Sequence, residues 1–276
     1  MKRTDAKLVI LTGAGISAES GLDTFRASDG LWENHRVEDV ASPEGFARDP
    51  ALVHRFYNAR RAQFDAVEPN AAHVALAELE AKWGGEFLLV TQNIDDLHER
   101  AGSKRLIHMH GQGRKGWCTA CDERFAWTKD MFPKSVRAEP VEALPLTGVE
   151  ETQSFDKLRT NGCPGDIREP ELRTNGSVCP SCGVAGQVRP DIVWFGEMPY
   201  QMDAIEAALM DCDLFVSIGT SGAVYPAAGF VQTAKYRGAR TVEINLEPSQ
   251  GSQLFDEQRY GLASVEVPTW VSELLT

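Results

Sequence analysis

Residues Thr91 to Gly111 read TQNIDDLHERAGSKRLIHMHG. Asn93 and Asp95 stand just past the point where the apolar run Phe87 to Val90 gives out. Short amide and carboxylate side chains there lie beyond the carboxyl end of a strand, where open α/β sheets bind their ligands. Gln92 adds another hydrogen-bonding group at the same turn. His110, a second strand-end residue before Gly111, is expected to converge on the same crevice. An imidazole there titrates near neutral pH and can act as a general base. His108, two residues earlier, is assigned to the opposite strand face and to a structural role.

Four of the six cysteines form two pairs, Cys118-x-x-Cys121 and Cys179-x-x-Cys182. In a reducing compartment such pairs favour metal binding over disulfides, and four thiolates suit one tetrahedral zinc. With every ligand position taken by sulfur, the expected ion is a closed, structural Zn2+ that activates no water. A redox CxxC is the rival reading; two pairs, neither opening a thioredoxin-like helix, count against it. Cys163 is read as an incidental thiol and Cys212 as a core residue. The pairs are 57 residues apart, where a zinc ribbon has about 15 to 20. LRTNG occurs at Leu158 to Gly162 and again at Leu172 to Gly176, among many prolines and charges. Removing Lys134 to Gly176 leaves 14 residues between the pairs. Residues 134 to 176 are therefore read as a repeat-derived surface insertion, largely disordered.

Those groups need a scaffold. Leu8 to Leu11, Phe87 to Val90, Leu214 to Ile218 and Thr241 to Ile244 are apolar runs that end in glycine or polar loops, the pattern of central parallel strands. Helical patterns lie between them: Leu52 to Phe64, Ala71 to Lys82 with Asn70 as N-cap, and Ala227 to Arg237 stopped by Gly238. Such alternation predicts an α/β protein with a Rossmann-like, doubly wound parallel sheet. Two stretches fall outside it, a helical insertion and the cysteine-bearing region. The expected division is a nucleotide-binding unit of residues 1–31, 84–113 and 186–276, a helical segment at 32–83, and a small zinc-ribbon module at 114–185.

The 276 residues carry a formal charge of −12. That balance speaks against direct nucleic-acid binding, which needs a basic patch to neutralise phosphates, and is compatible with a cationic peptide. The apolar run near the start, Leu8 to Leu11, is too short for a signal peptide or a membrane span. A cytoplasmic, membrane-free protein is expected, with a monomer as the working assumption.

The first strand runs into Gly13-Ala14-Gly15, where glycines let backbone N–H groups approach a pyrophosphate. Taken alone, this could equally be a tight strand-to-helix turn. It is joined by Gly219-Thr220-Ser221 and Asn245-Leu246-Glu247 after later strands. GAGISAESGLDTFR, TQNIDDLHERAG, HMHG, the two CxxC pairs, RPDIVWFGE, GTS and VEINLEP occur here in the order found in sirtuins. The chain resembles a bacterial member of that family of NAD-dependent protein-lysine deacylases, over nearly its whole length except about residues 134 to 176.

The resemblance implies NAD as a consumed co-substrate and assigns roles. Gly13, Ala14 and Gly15 would line the pyrophosphate, with Asp23, Phe25 and Arg26 on the loop covering the nicotinamide ribose, and Ser17 and Trp32 would be further cofactor-binding positions. Asn93 and Asp95 would hold the nicotinamide carboxamide, an amide and a carboxylate matching its acceptor and donors, with Gln92 and Ile94 as further cofactor-binding positions. Gly219, Thr220, Ser221, Asn245, Leu246, Glu247 and the backbone of Ala263 would hold the remainder of the dinucleotide. In the family scheme the acyl-lysine oxygen attacks C1′ as nicotinamide leaves. His110 then removes a proton from the ribose hydroxyls, giving free lysine and 2′-O-acyl-ADP-ribose. Trp194, Phe195, Gly196 and Glu197, facing Gly222 to Tyr225, would sandwich the substrate backbone by strand addition.

Tyr57 and Arg60 lie three apart on the FYNARR helix and so share one face. In the subgroup this segment resembles, the pair binds the distal carboxylate of succinyl- or malonyl-lysine, with deacetylation retained. The rival reading is an exposed arginine beside a core tyrosine. For the whole chain, a protein mono-ADP-ribosyltransferase using the same NAD site, or a noncatalytic NAD or ADP-ribose-binding zinc protein, are the alternatives. His110, Asn93 and Asp95 disfavour the second; Tyr57 and Arg60 disfavour the first.

Overall fold

The computed structural model describes residues 6–23, 31–32, 35–128 and 178–276. The expected insertion at 134–176, with Cys163, and the expected cofactor residues Phe25 and Arg26 lie outside them. The described strands are β1 (Leu8–Thr12), β2 (Leu31–Trp32), β3 (His35–Arg36), β4 (Phe87–Thr91), β5 (Leu106–His108), β6 (Gly111–Cys118), β7 (Arg124–Ala126), β8 (Val188–Ile192), β9 (Leu214–Ile218), β10 (Arg240–Asn245) and β11 (Glu257–Tyr260).

Six of them form one sheet in the order β11-β10-β9-β1-β4-β5, and every pairing in it is parallel. Side chains alternate across it. Leu8, Ile10, Leu89, Val216, Ile218, Val242 and Ile244 face the helices Ala71–Lys82 and Ala263–Leu275. Val9, Leu11, Val90 and Phe215 face Met202–Asp211 and Phe230–Tyr236. Because helices cover both faces, the central strands are buried at most positions and mostly apolar, which is what made them readable. Burying one such Leu, Ile or Phe side chain contributes roughly 1.5–3 kcal/mol.

One edge strand escaped the sequence reading: β11, Glu-Gln-Arg-Tyr, carries no apolar run because its side chains are partly or fully exposed. The strand expected to end at His110 is β5, three residues long, which ends at His108. The expected helix Ala227 to Arg237 begins instead with a 3-10 turn, Ala227–Gly229, before Phe230–Tyr236. The helix Ala71–Lys82 ends where the spacing placed it, and Asn70 caps it, its Oδ1 accepting from the N–H of Ala72 at 3.0 Å.

The helix Ala71–Lys82 packs on the main sheet and not with the helices before it. The separate helical cluster comprises Val37–Val40, Pro43–Arg48 and Pro50–Ala66, whose Val53, Phe56, Tyr57 and Phe64 bury against Ile94, Leu97, Ile192 and Trp194. A second, antiparallel sheet, β7-β6-β8, starts at Gly111 and closes at Ile192. We therefore propose the divisions 37–66 for the helical segment and 111–192 for the small module. β6 begins immediately after His110. Gly111 makes that junction possible: its φ is +84°, and a Cβ there would lie 2.1 Å from the Asp191 carbonyl oxygen.

Candidate active site

β1 is flanked by β9 on one side and β4 on the other, so loops leaving their carboxyl ends diverge around a crevice. A cavity of about 640 Å³ occupies it. Gly13, Ala14, Gly15, Ser17, Asp23, Gln92, Asn93, Ile94, Asp95, His110, Gly219, Thr220, Ser221, Asn245, Leu246 and Glu247 all line it, as do Tyr57, Arg60, Phe195, Gly196 and Glu197. The sequence-predicted site residues are thus brought together almost completely. Ala263 is an exception. It opens the C-terminal helix and packs against the sheet core, outside the lining. Trp32 lies in β2.

The glycine loop is held by backbone bonds across the switch point. The N–H of Gly13 donates to the Ile218 carbonyl at 3.0 Å, and that of Gly15 to the Gly219 carbonyl at 2.8 Å. A Cβ on Gly15 would sit 2.7 Å from that carbonyl oxygen and 2.8 Å from the Gly219 Cα. The helix that follows, Gly15–Ala18, is one turn long. Its dipole is correspondingly small, and anion binding here falls to individual N–H groups.

Asn93 and Asp95 are both buried, at 7% and 6% exposure. Ser17 sits between them: Asn93 Nδ2 donates to Ser17 Oγ at 3.1 Å, and Ser17 Oγ donates to Asp95 Oδ2 at 3.1 Å. Asp95 Oδ1 accepts the N–H of Leu97 at 3.1 Å. Burial raises the Asp95 pKa, against the lowering effect of these bonds. Beneath the pair, Thr12 Oγ1 donates to Thr91 Oγ1 at 2.8 Å, and Thr91 Oγ1 accepts the N–H of Asn93 at 3.1 Å. This threonine layer went unread in the sequence, where Thr12 and Thr91 merely end apolar strands.

His110 is half-buried and lines the cavity. Its Nδ1 is 3.2 Å from the Gln92 carbonyl oxygen. A carbonyl only accepts, so Nδ1 carries the hydrogen and Nε2 keeps a lone pair. Burial lowers the His110 pKa, opposed by that bond, so the ring is neutral at pH 7. His108 does take a structural part: Nδ1 bonds the Asn93 carbonyl at 3.0 Å and Nε2 the Glu99 carboxylate at 2.7 Å. The strand-face argument for it was wrong, however, since residues two apart on a strand share a face. What parts the two histidines is the end of β5 at His108, after which the chain turns toward Gly111.

Tyr57 is 1% exposed and accepts a hydrogen bond from Trp194 Nε1 at 3.1 Å. Arg60 is 5% exposed, and its Nη1 donates to Gln63 Oε1 at 2.9 Å. Arg60 is thus not the exposed arginine of the rival reading, while Tyr57 packs in a core cluster as that reading has it. Glu197, expected against substrate, has its carboxylate turned inward. It receives Arg189 at 2.6 and 2.9 Å and the N–H of Trp194 at 2.8 Å. A buried guanidinium requires that carboxylate, and Arg189 is a residue holding the cavity wall that the sequence reading left unassigned. Its place in RPDIVWFGE was the available signal.

The four cysteines converge, all sulfurs within 4.8 Å of one another. Cys118 to Cys182 is 3.8 Å and Cys121 to Cys179 is 3.7 Å. A tetrahedron built on Zn–S bonds of about 2.3 Å has edges of about 3.8 Å, so these spacings are those of a ligand cage. The module's own core is slight: Cys118, Cys179 and Val188, with Phe125 and Trp127 against them. So small a core needs a staple, and the residues present fit a structural zinc.

A doubly wound sheet with this switch-point cavity and an appended four-cysteine module defines a class, and the model of the Sir2 family matches residues 13–226. The chain belongs to the Sir2 family. It is similar to the "NAD-dependent protein deacylase" of Vibrio vulnificus (strain YJ016), 52% identical over 270 residues that cover 97% of this chain and 93% of the relative. The protein of the same name from Pasteurella multocida (strain Pm70) is 51% identical over 271 residues, 98% of each chain. Among solved structures, a Sir2 homologue–NAD complex aligns with a TM-score of 0.75 at 34% identity, covering 100% of this chain and 93% of that one. Among the described residues no helix is long and apolar enough to cross a membrane.

Proposed function

We propose that the protein is an NAD-dependent protein-lysine deacylase that removes succinyl, malonyl and acetyl groups from lysine. The observation that carries this is a single cavity lined by Asn93, Asp95 and His110 together with Tyr57 and Arg60. Asn93 and Asp95, fixed relative to each other by Ser17, receive the carboxamide of nicotinamide. His110 Nε2, kept unprotonated by the Nδ1 bond to Gln92, takes the proton from a ribose hydroxyl once nicotinamide has left. Tyr57 and Arg60 offer a phenol and a guanidinium to a distal acyl carboxylate. Phe195 and Gly196 offer main chain to the substrate backbone. Cys118, Cys121, Cys179 and Cys182 would hold one zinc, which supplies structural closure and no open coordination position.

The named relatives support the NAD-dependent deacylase activity. The acyl preference and the residue roles rest on the geometry of this cavity. The test is incubation with NAD and matched acetyl-, succinyl- and malonyl-lysine peptides, following nicotinamide and free lysine by mass spectrometry. Deacylated peptide in step with nicotinamide is expected. Nicotinamide release with ADP-ribosylated protein and intact acyl-lysine would instead mark a transferase.

A further inference from the structure

Trp194 connects two parts of the molecule that the reaction scheme treats separately. Its indole Nε1–H donates to the Tyr57 hydroxyl at 3.1 Å, and both residues line the cavity. Its ring, 2% exposed, lies against Arg189, whose guanidinium carbon is 3.4 Å from the ring centroid, and against Phe46 at 5.3 Å. Its backbone N–H is held by Glu197, and Glu197 also forms the two-pronged pair with Arg189. Arg189 Nη2 donates to the Ile192 carbonyl at 2.7 Å, and the same guanidinium lies 5.0 Å from the Trp117 ring, next to the metal-ligand position Cys118. Ring and backbone of Trp194 are therefore fixed by one ion pair, its arginine buried and its carboxylate half-buried.

An indole N–H can only donate, so the Tyr57 oxygen must accept from it. With an acceptor site filled, the phenol's own hydrogen is directed to a different partner. That is the polarity a carboxylate needs, because an ionised carboxylate only accepts. Donation into the phenol oxygen also polarises its O–H, making it a better donor in a low-dielectric cavity. Burial, the largest influence on Tyr57, raises its pKa and keeps that hydrogen in place. A phenylalanine at 194 would keep an aromatic ring, smaller than the indole, and supply no donor to the Tyr57 oxygen.

We propose that Trp194, clamped by Arg189 and Glu197, is a specificity-positioning residue that orients the Tyr57 hydroxyl as a donor and so favours acyl chains ending in a carboxylate over acetyl. The proposal rests on the reading of Tyr57 and Arg60 as the acyl-carboxylate site. It assigns Trp194 a role apart from its place at the peptide-docking edge. A merely structural tryptophan would affect all acyl substrates alike.

The readout is the ratio of kcat/KM for succinyl-lysine peptide to that for the matched acetyl-lysine peptide. Trp194→Phe is expected to lower this ratio on the order of tenfold, the effect of removing one partner of a buried hydrogen bond. In a Tyr57→Phe background the same change should leave the ratio where Tyr57→Phe alone put it, because the hydroxyl being oriented is gone. Should Trp194→Phe fail to fold by thermal melting, Arg189→Lys decides. It keeps the charge, loses the two-pronged pair and the flat stacking surface, and is expected to lower the ratio in the same direction. An unchanged ratio in the variant that folds, or an additive double mutant, overturns the proposal. Arg60→Met is measured alongside. If it too leaves the ratio unchanged, the acyl-carboxylate reading has failed and this inference with it. If Arg60→Met lowers the ratio and Trp194→Phe does not, the inference alone has failed.

Discussion

His108 and His110 grip consecutive carbonyl oxygens of one turn, His110 that of Gln92 at 3.2 Å and His108 that of Asn93 at 3.0 Å. The same kind of bond leaves the two rings with different chemistry. The second nitrogen of His108 is committed to Glu99, whereas His110 belongs to the cavity lining.

Replacing His110 by Ala should therefore lower kcat by about 10²–10⁴, the usual contribution of a general base. The wild-type acid limb of kcat/KM should report a group titrating below 6.5, since burial lowers His110. A steady-state pH profile checks this; an acid limb centred above 7 would contradict it.

The buried histidines make stability fall with acid. Burial lowers His73 to about 4 and His54 to about 3, and His98 lies well below 6.5. Unfolded, each binds a proton below about 6.5, so their contribution is complete above that pH and is lost as pH falls toward 4. For His73 alone the loss at pH 5 is about 2 kcal/mol. His108 runs the other way. Burial would lower it, Glu99 outweighs that and raises it, and its contribution is present below 6.5 and lost as pH rises through the folded value. With His110, which burial also lowers, four against one predicts lower urea midpoints at pH 5 than at pH 7. His73→Gln, which keeps a capping side chain but cannot titrate, should shrink the difference.

Stripping zinc should unfold the small module and abolish turnover, because its core is too small to persist alone. Cobalt in the same four-sulfur cage should restore turnover with the wild-type pH profile, since the metal has no open position. A shifted acid limb in the cobalt protein, measured by the same peptide assay, would place the metal in the chemistry.

Gly15→Ala should weaken NAD binding at least tenfold by calorimetry. The added Cβ meets backbone of Gly219 at 2.7 to 3.0 Å, and backbone on both sides cannot give way as a flexible side chain would. Unchanged affinity would show that the loop relaxes.

Arg60→Met should cost desuccinylation far more than deacetylation, because only the longer acyl group carries a carboxylate to pair with the guanidinium. Competition between the two peptides in one reaction, read by mass spectrometry, gives the ratio directly.

The parallel core was legible because both its faces are covered. Leu8 to Thr12 and Leu214 to Ile218 are buried at every step and apolar at four of five positions, while β11 follows neither pattern and was missed. The site was legible where chemistry depends on residue type within a short span, as at Asn93, Asp95 and the cysteine pairs. It was not legible where a side chain's role depends on a distant partner. Glu197 reads as a cavity-edge carboxylate until Arg189 is seen to claim it, and Thr12 meets Thr91 across 79 positions of sequence. The same holds for Ala71–Lys82, which the proposed divisions move out of the helical segment, since only packing reveals which sheet a helix covers.

β6 runs unbroken from Gly111, next to His110, to Cys118 in the metal cage. Along a strand that is on the order of 25 Å of travel. None of Trp127, Thr128 and Val178, which flank the long passage between the cysteine pairs, lines the cavity. The module thus offers a port at which the gene can gain or lose sequence while the residues proposed for the reaction stay in register. The reaction constrains one end of that strand, and the other is left open to variation.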